Sequence, residues 1–192
     1  MNLANKLTVS RIILTFVFMA FLFCHGIWAK VAALVIFLIA SLTDFYDGLI
    51  ARRENQITNF GKLMDPIADK ILILAAFMAF VEMQLVAAWM VLLIFSREII
   101  ITGLRLFAVS RGKVLAAEAA GKHKTVSQMV AIFSILLFII FREIMQKYFS
   151  WPDHIGNYFY LGIWILMLIT VSLTLISGIS FLWRQRSLWL TN

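Results

Sequence analysis

Charge is what this chain has least of. Charged residues fill 14% of its 192 positions against 62% hydrophobic, and mean hydropathy is +0.94, a balance that excludes an ordinary soluble globular domain. The one cysteine, Cys24, rules out an internal disulfide and is expected as a buried residue of an apolar span. Two prolines and no Gly/Pro/Ser-rich linker, repeat or low-complexity tract leave residues 1–192 as a single domain. His25, His123 and His154 are scattered and form no ligand spacing. The net charge of +7 comes without a nucleic-acid motif, so anionic lipid or a phosphorylated substrate is the expected partner.

What fills the chain is apolar runs of spanning length. Six are expected: about Ile12 to Ile27; Trp28 through Leu42, continuing helically toward Ala51; Pro66 to Val81; Leu85 to Phe107; Val126 to Phe141; and Tyr158 to Trp183. The expected fold is therefore an all-α polytopic integral membrane protein with six transmembrane helices. With the N-terminus in the cytoplasm, only Lys30, Arg142 and Lys147 of the 17 basic residues fall outside, so retention of Lys and Arg favours both termini cytoplasmic. Lys6 and Arg11 ahead of an apolar stretch imitate a signal peptide, but no small-x-small cleavage site follows.

Against that background four aspartates share the 26 residues from Asp44 to Asp69, in the pattern D-x2-D-G-x2-A-R-x8-G-x3-D-x3-D. Spacings of three (Asp44, Asp47) and four (Asp65, Asp69) place each pair on one face of a helix. Two such pairs suit a hard divalent cation, Mg2+ or Mn2+. Unpaired carboxylates at membrane depth cost several kcal/mol, so a metal site at the boundary is the simplest resolution. Each residue taken singly has a plainer account. Gly48 would serve tight helix packing, Asp65 would be the N-cap of a helix with Pro66 in its first turn, and Asp69 could pair with Lys70. Glu98 could orient Arg97 or merely pair with it, and Glu82, Glu118, Glu143 and Asp153 read as solvated loop charges.

The joint pattern resembles, without a substitution, the signature of the CDP-alcohol phosphotransferase family, membrane enzymes in which a CDP-linked donor loses CMP to an alcohol. The resemblance implies a homodimer of six-helix protomers and a cytoplasm-facing cavity with two divalent metals. Asp44, Asp47 and Asp65 are then metal ligands, and Asp69 a metal ligand that also acts as general base. Gly48 and Arg52 would contact the donor, and Ala51 would leave room for its nucleotide. Near the start, Asn5-Lys-Leu7-Thr8-Val-Ser-Arg11 resembles the opening of bacterial phosphatidylglycerophosphate synthases, with Ala4 in place of a proline; Asn5 and Thr8 would join the donor site.

Two further segments, Ser96-Arg97-Glu98 through Thr102-Gly103-Leu104-Arg105 and Gly121-Lys122-His123-Lys124-Thr125, look like the same subfamily. That likeness implies CDP-diacylglycerol as donor and glycerol 3-phosphate as acceptor and, with no organelle-targeting segment evident, a bacterial plasma (inner) membrane with the site facing the cytoplasm. Arg97, Arg105, Lys122 and Lys124 would bind the acceptor phosphate, unless they are topology residues meeting lipid headgroups. Other acceptors (serine, inositol phosphate, a phospholipid) remain open. So does a metal-ion transporter, although every acid of the motif falls on one side of the expected membrane.

Overall fold

In the computed structural model the backbone is described for residues 3–54, 59–110, 119–148 and 153–186, and side chains within 9–43, 70–108, 124–148 and 156–186. Six helices follow one another: α1 (Leu3–Phe23), α2 (Ile27–Glu54), α3 (Asn59–Glu82), α4 (Ala88–Ser110), α5 (Ala119–Tyr148) and α6 (Asp153–Arg184). No strand occurs among the described residues. Each expected span has its helix, but the helices run past the apolar stretches, because intrahelical hydrogen bonding continues through polar residues once a turn is nucleated. The largest departure is at α3, which begins at Asn59. Pro66 therefore lies inside the helix, and Asp65 is not its N-cap. Only one intrahelical hydrogen bond is lost at an interior proline, and packed neighbours can absorb that loss.

The stretches Lys124–Tyr148 and Gly156–Arg184 are long and apolar enough to cross a membrane, and Val9–Phe23 and Ile27–Thr43 are shorter apolar helices. Large apolar side chains also cover the outside: Phe16, Leu92, Ile176 and Ile179 are all exposed. Such a surface is expected toward hydrocarbon rather than water. Inside, helices pack α1 on α2 and α3, α2 on α5, α5 on α6 and α4 on α6. Phe18, Phe37, Phe77, Phe80, Ile135 and Met167 fill the centre, with Phe18 and Phe37 ring centroids 5.6 Å apart. Ala33, Ala40, Ala76, Ala79 and Ala131 are buried among them and let helix backbones approach closely. Buried hydroxyls are met within their own helices: Thr15 donates to Arg11 O at 2.9 Å, Thr170 to Leu166 O at 2.9 Å and Thr174 to Thr170 O at 2.7 Å.

One end of the bundle is tied by polar contacts. Gly26 (φ +101°) turns the chain between α1 and α2, and its N–H donates to Glu143 Oε1 at 3.2 Å. Lys30 is buried, and its Nζ donates to Leu22 O at 2.6 Å and Cys24 O at 2.9 Å. It thereby satisfies carbonyls that the end of α1 leaves open. Two expectations change here. Glu143 belongs to α5 and holds the α1–α2 turn instead of lying in a loop. Cys24 is exposed, because α1 stops at Phe23 and leaves it in the turn.

The positive φ at Gly26 is strained for any residue with a Cβ, although open space surrounds that position. Gly26→Val should therefore destabilise by on the order of 1 kcal/mol through backbone strain alone. A lower thermal midpoint in detergent checks this, and an unchanged midpoint would contradict the strain.

Candidate functional site

Four helices bring charge together at a depth where apolar residues otherwise meet. On α4, Glu98 and Thr102 stand one turn apart and so share a face. Lys70 of α3 reaches both: its Nζ hydrogen-bonds Thr102 Oγ1 and lies 3.7 Å from Glu98 Oε2 and 3.5 Å from Glu98 O. From α5, Lys124 donates to Glu98 Oε1. Arg97 Nη1 approaches the same oxygen at 3.5 Å, while its Nη2 donates to Ser177 Oγ of α6 at 2.9 Å. Side-chain exposure is 10% for Arg97, 10% for Lys124, 15% for Glu98 and 28% for Lys70.

Arg97 has room because position 178 is glycine. A Cβ there would come within 2.9 Å of Arg97 Cγ and 3.3 Å of its Nε. The α4–α6 contact is thus shaped around the arginine stem. One turn beyond Lys124 on α5, Gln128 is 2% exposed, and its Nε2 has no hydrogen-bond partner among the described residues. Among the described residues the cluster combines three cations, one carboxylate and, one turn away, a neutral donor, a set suited to holding an anion. As a stabilising device it would be poor, since desolvating buried ion pairs offsets most of their attraction.

Of the four basic residues expected to hold a phosphate, Arg97 and Lys124 are brought together. Arg105 is not joined to them by a described contact; it is exposed, with its guanidinium carbon 5.4 Å from the centre of the Phe181 ring. A cation over an aromatic face is a sufficient anchor for it. The Lys122 side chain lies outside the described residues. Lys70, Thr102, Ser177 and Gly178 were not expected in this place. The Glu98–Thr102 spacing and a lysine just past the aspartate motif were signals for the first two. Nothing in sequence signals that Ser177 meets Arg97, because the contact is made 80 residues away.

The backbone is helical at all four aspartates, with Asp44 and Asp47 in α2 and Asp65 and Asp69 in α3. Spacings of three and four residues therefore have their helical meaning. Side chains of these aspartates, and of Asn5, Thr8, Gly48, Ala51 and Arg52, lie outside the described residues. Among the described residues no group of three or more His, Cys, Asp or Glu could hold a metal. The link between acids and cation cluster is covalent: Lys70 follows Asp69 directly in α3.

The CDP-alcohol phosphatidyltransferase family model matches residues 1–176. A Bacillus subtilis protein named CDP-diacylglycerol–glycerol-3-phosphate 3-phosphatidyltransferase is 39% identical over 182 residues, covering 88% of this chain and 90% of its own. A Mycobacterium tuberculosis protein named probable phosphatidylglycerophosphate synthase is 37% identical over 186 residues, 95% of this chain and 81% of its own. A Salmonella paratyphi A protein with the first of these names is 39% identical over 143 residues, 70% of this chain and 76% of its own. With its aspartate motif in the second and third helices and a family match over most of its length, the chain belongs to the CDP-alcohol phosphatidyltransferase family.

Proposed function

We propose that this enzyme transfers the phosphatidyl group of CDP-diacylglycerol to glycerol 3-phosphate, giving phosphatidylglycerophosphate and CMP. The observation that carries the acceptor is the partly buried cluster of Lys70, Arg97 and Lys124, three cations gathered around Glu98 where a phosphate could enter. Relatives named for this reaction support the donor and the chemistry. The apolar exterior supports a membrane protein. Within that reading the six helices span the bacterial inner membrane, both termini face the cytoplasm, and two protomers pair.

Asp44, Asp47, Asp65 and Asp69 would hold the divalent metals. Four carboxylates are the oxygen-rich donor set that Mg2+ or Mn2+ prefers, and helical backbone at all four supports their pairing. Bound there, two such ions neutralise the donor pyrophosphate and the charge developing on departing CMP. Asn5, Thr8, Gly48, Ala51 and Arg52 would hold the donor, with Ala51 leaving room for the nucleotide. Asp69 takes the proton of the acceptor hydroxyl as its oxygen attacks the phosphatidyl phosphorus. One P–O bond forms, the P–O bond to CMP breaks, and the proton stays on the Asp69 carboxylate. Arg97 and Lys124 fix the acceptor phosphate, with Lys122 and Arg105 toward the cytoplasm, so that the hydroxyl is oriented for attack. Positioning and charge stabilisation are what phosphoryl transfer mainly requires. Gln128 adds an uncharged donor on the Lys124 face of α5.

The deciding experiment is CMP release by the purified protein in detergent with CDP-diacylglycerol, Mg2+ or Mn2+, and a panel of alcohols. Release stimulated by glycerol 3-phosphate and lost in Asp69→Asn is expected. Stimulation only by another alcohol would overturn the acceptor, and full activity of Asp69→Asn would overturn its role as base. Gly178→Val should push Arg97 off Ser177 and raise the acceptor KM by roughly tenfold while the donor KM holds. An acceptor KM equal to that of the wild type would remove Arg97 from the phosphate site.

A further inference from the structure

Glu98 is the one acid in the described part of the cluster, and each cation there meets it. Its Oε1 takes Lys124 and faces Arg97, and its Oε2 faces Lys70. Among the described side chains three cations meet this one carboxylate. A phosphomonoester, whose second pKa is about 6, carries close to two negative charges at neutral pH. Its oxygens can accept hydrogen bonds from ammonium and guanidinium groups gathered at one point. An uncharged alcohol offers those groups no charged oxygen.

The carboxylate also determines where the cations stand. Arg97 has a second anchor in Ser177, and Lys70 has one in Thr102. Lys124 is held by Glu98 alone among the described side chains. Three like charges arriving from α3, α4 and α5 repel one another, and an ammonium on a flexible stem withdraws toward water when nothing opposes that repulsion. Removing the carboxylate would thus raise the formal charge while dispersing the groups that carry it. Dispersal weighs more for an oriented hydroxyl, because positioning depends on fixed contacts whereas loose charge is screened.

We propose that Glu98 is a positioning residue that sets acceptor specificity: by gathering Lys70, Arg97 and Lys124 onto one carboxylate, it holds them where they can receive the phosphate of a phosphomonoester. It acts through the cations and does not itself touch the acceptor. The proposal rests on the acceptor reading given above.

The test is Glu98→Gln, which keeps size and removes charge, in the full-length enzyme in detergent with CDP-diacylglycerol saturating and glycerol 3-phosphate varied. Acceptor KM should rise roughly tenfold, with kcat reduced less than roughly threefold and donor KM unchanged. Glu98→Asp, which returns the charge on a shorter stem, should recover only part of the loss and leave the acceptor KM severalfold above wild type. An unaltered acceptor KM in Glu98→Gln overturns the proposal. So does a joint loss of kcat and of both KM values that Asp does not repair, since that is the mark of a merely structural residue. If Glu98→Gln is not monodisperse, Glu98→Asp decides: an acceptor KM raised severalfold at constant donor KM supports the role, and a wild-type value overturns it. Wild-type enzyme that releases CMP only with an uncharged alcohol overturns the acceptor reading. Wild-type turnover of glycerol 3-phosphate beside an unaffected Glu98→Gln overturns only the role of Glu98.

Discussion

A carboxylate set among apolar helices has to be answered by positive charge, and around Glu98 that requirement links the helices that form the site. Lys70, Arg97 and Lys124 answer it from α3, α4 and α5, and Arg97 carries the link to α6 through Ser177. Without these contacts the same helices would meet through side chains such as Ile135 and Met167, which pack but do not specify an axial register. Directional contacts remove that freedom. The polar cluster is therefore also what aligns the four helices axially.

A second polar tie sits far from the first. Glu143 on α5 holds the turn at Gly26, and Lys30 closes the end of α1. Glu143 lies 19 positions beyond Lys124 on α5, about 28 Å along a helix. Between the two ties the bundle relies on alanine and aromatic packing, with hydroxyls turned onto their own helices. Polar contacts at both ends and a nearly apolar middle suit a helical protein whose exterior is itself apolar, since interior polar groups there need partners of their own. The end where Lys70, Arg97 and Lys124 surround Glu98 is the one proposed to receive a ligand; the Lys30–Glu143 end consists of caps and turn contacts.

Much of the architecture was legible without coordinates. Apolar runs of spanning length located every helix, because a segment that must satisfy its backbone in an apolar setting has little alternative to a helix. Their limits were less legible. Pro66 read as a helix start, yet α3 begins at Asn59, since a single missing N–H does not outweigh the intrahelical hydrogen bonds on either side of it. Cys24 read as buried and is exposed, and Glu143 read as solvated and is an acceptor for Gly26. Cys24 is exposed because α1 ends one residue before it, and Glu143 is engaged because its partner, Gly26, lies 117 residues away in the α1–α2 turn.

The sequence by itself determined the class of chemistry. Four aspartates at three- and four-residue spacings, with Gly48, Ala51 and Arg52 between them, form a local pattern; helical periodicity pairs the acids, and resemblance to the family signature gives the pattern its chemistry. Which basic residues belong together was decided only by tertiary structure. Arg97 and Arg105 share one helix and one expectation drawn from family resemblance, yet Arg97 enters the cluster and Arg105 lies over Phe181. Lys70, which the motif left as a bystander to Asp69, spans from α3 to Glu98 and Thr102. Helical spacing is fixed within twenty residues of chain, whereas the meeting of Lys70, Glu98, Lys124 and Ser177 depends on how α3, α4, α5 and α6 pack. No local pattern encodes that packing.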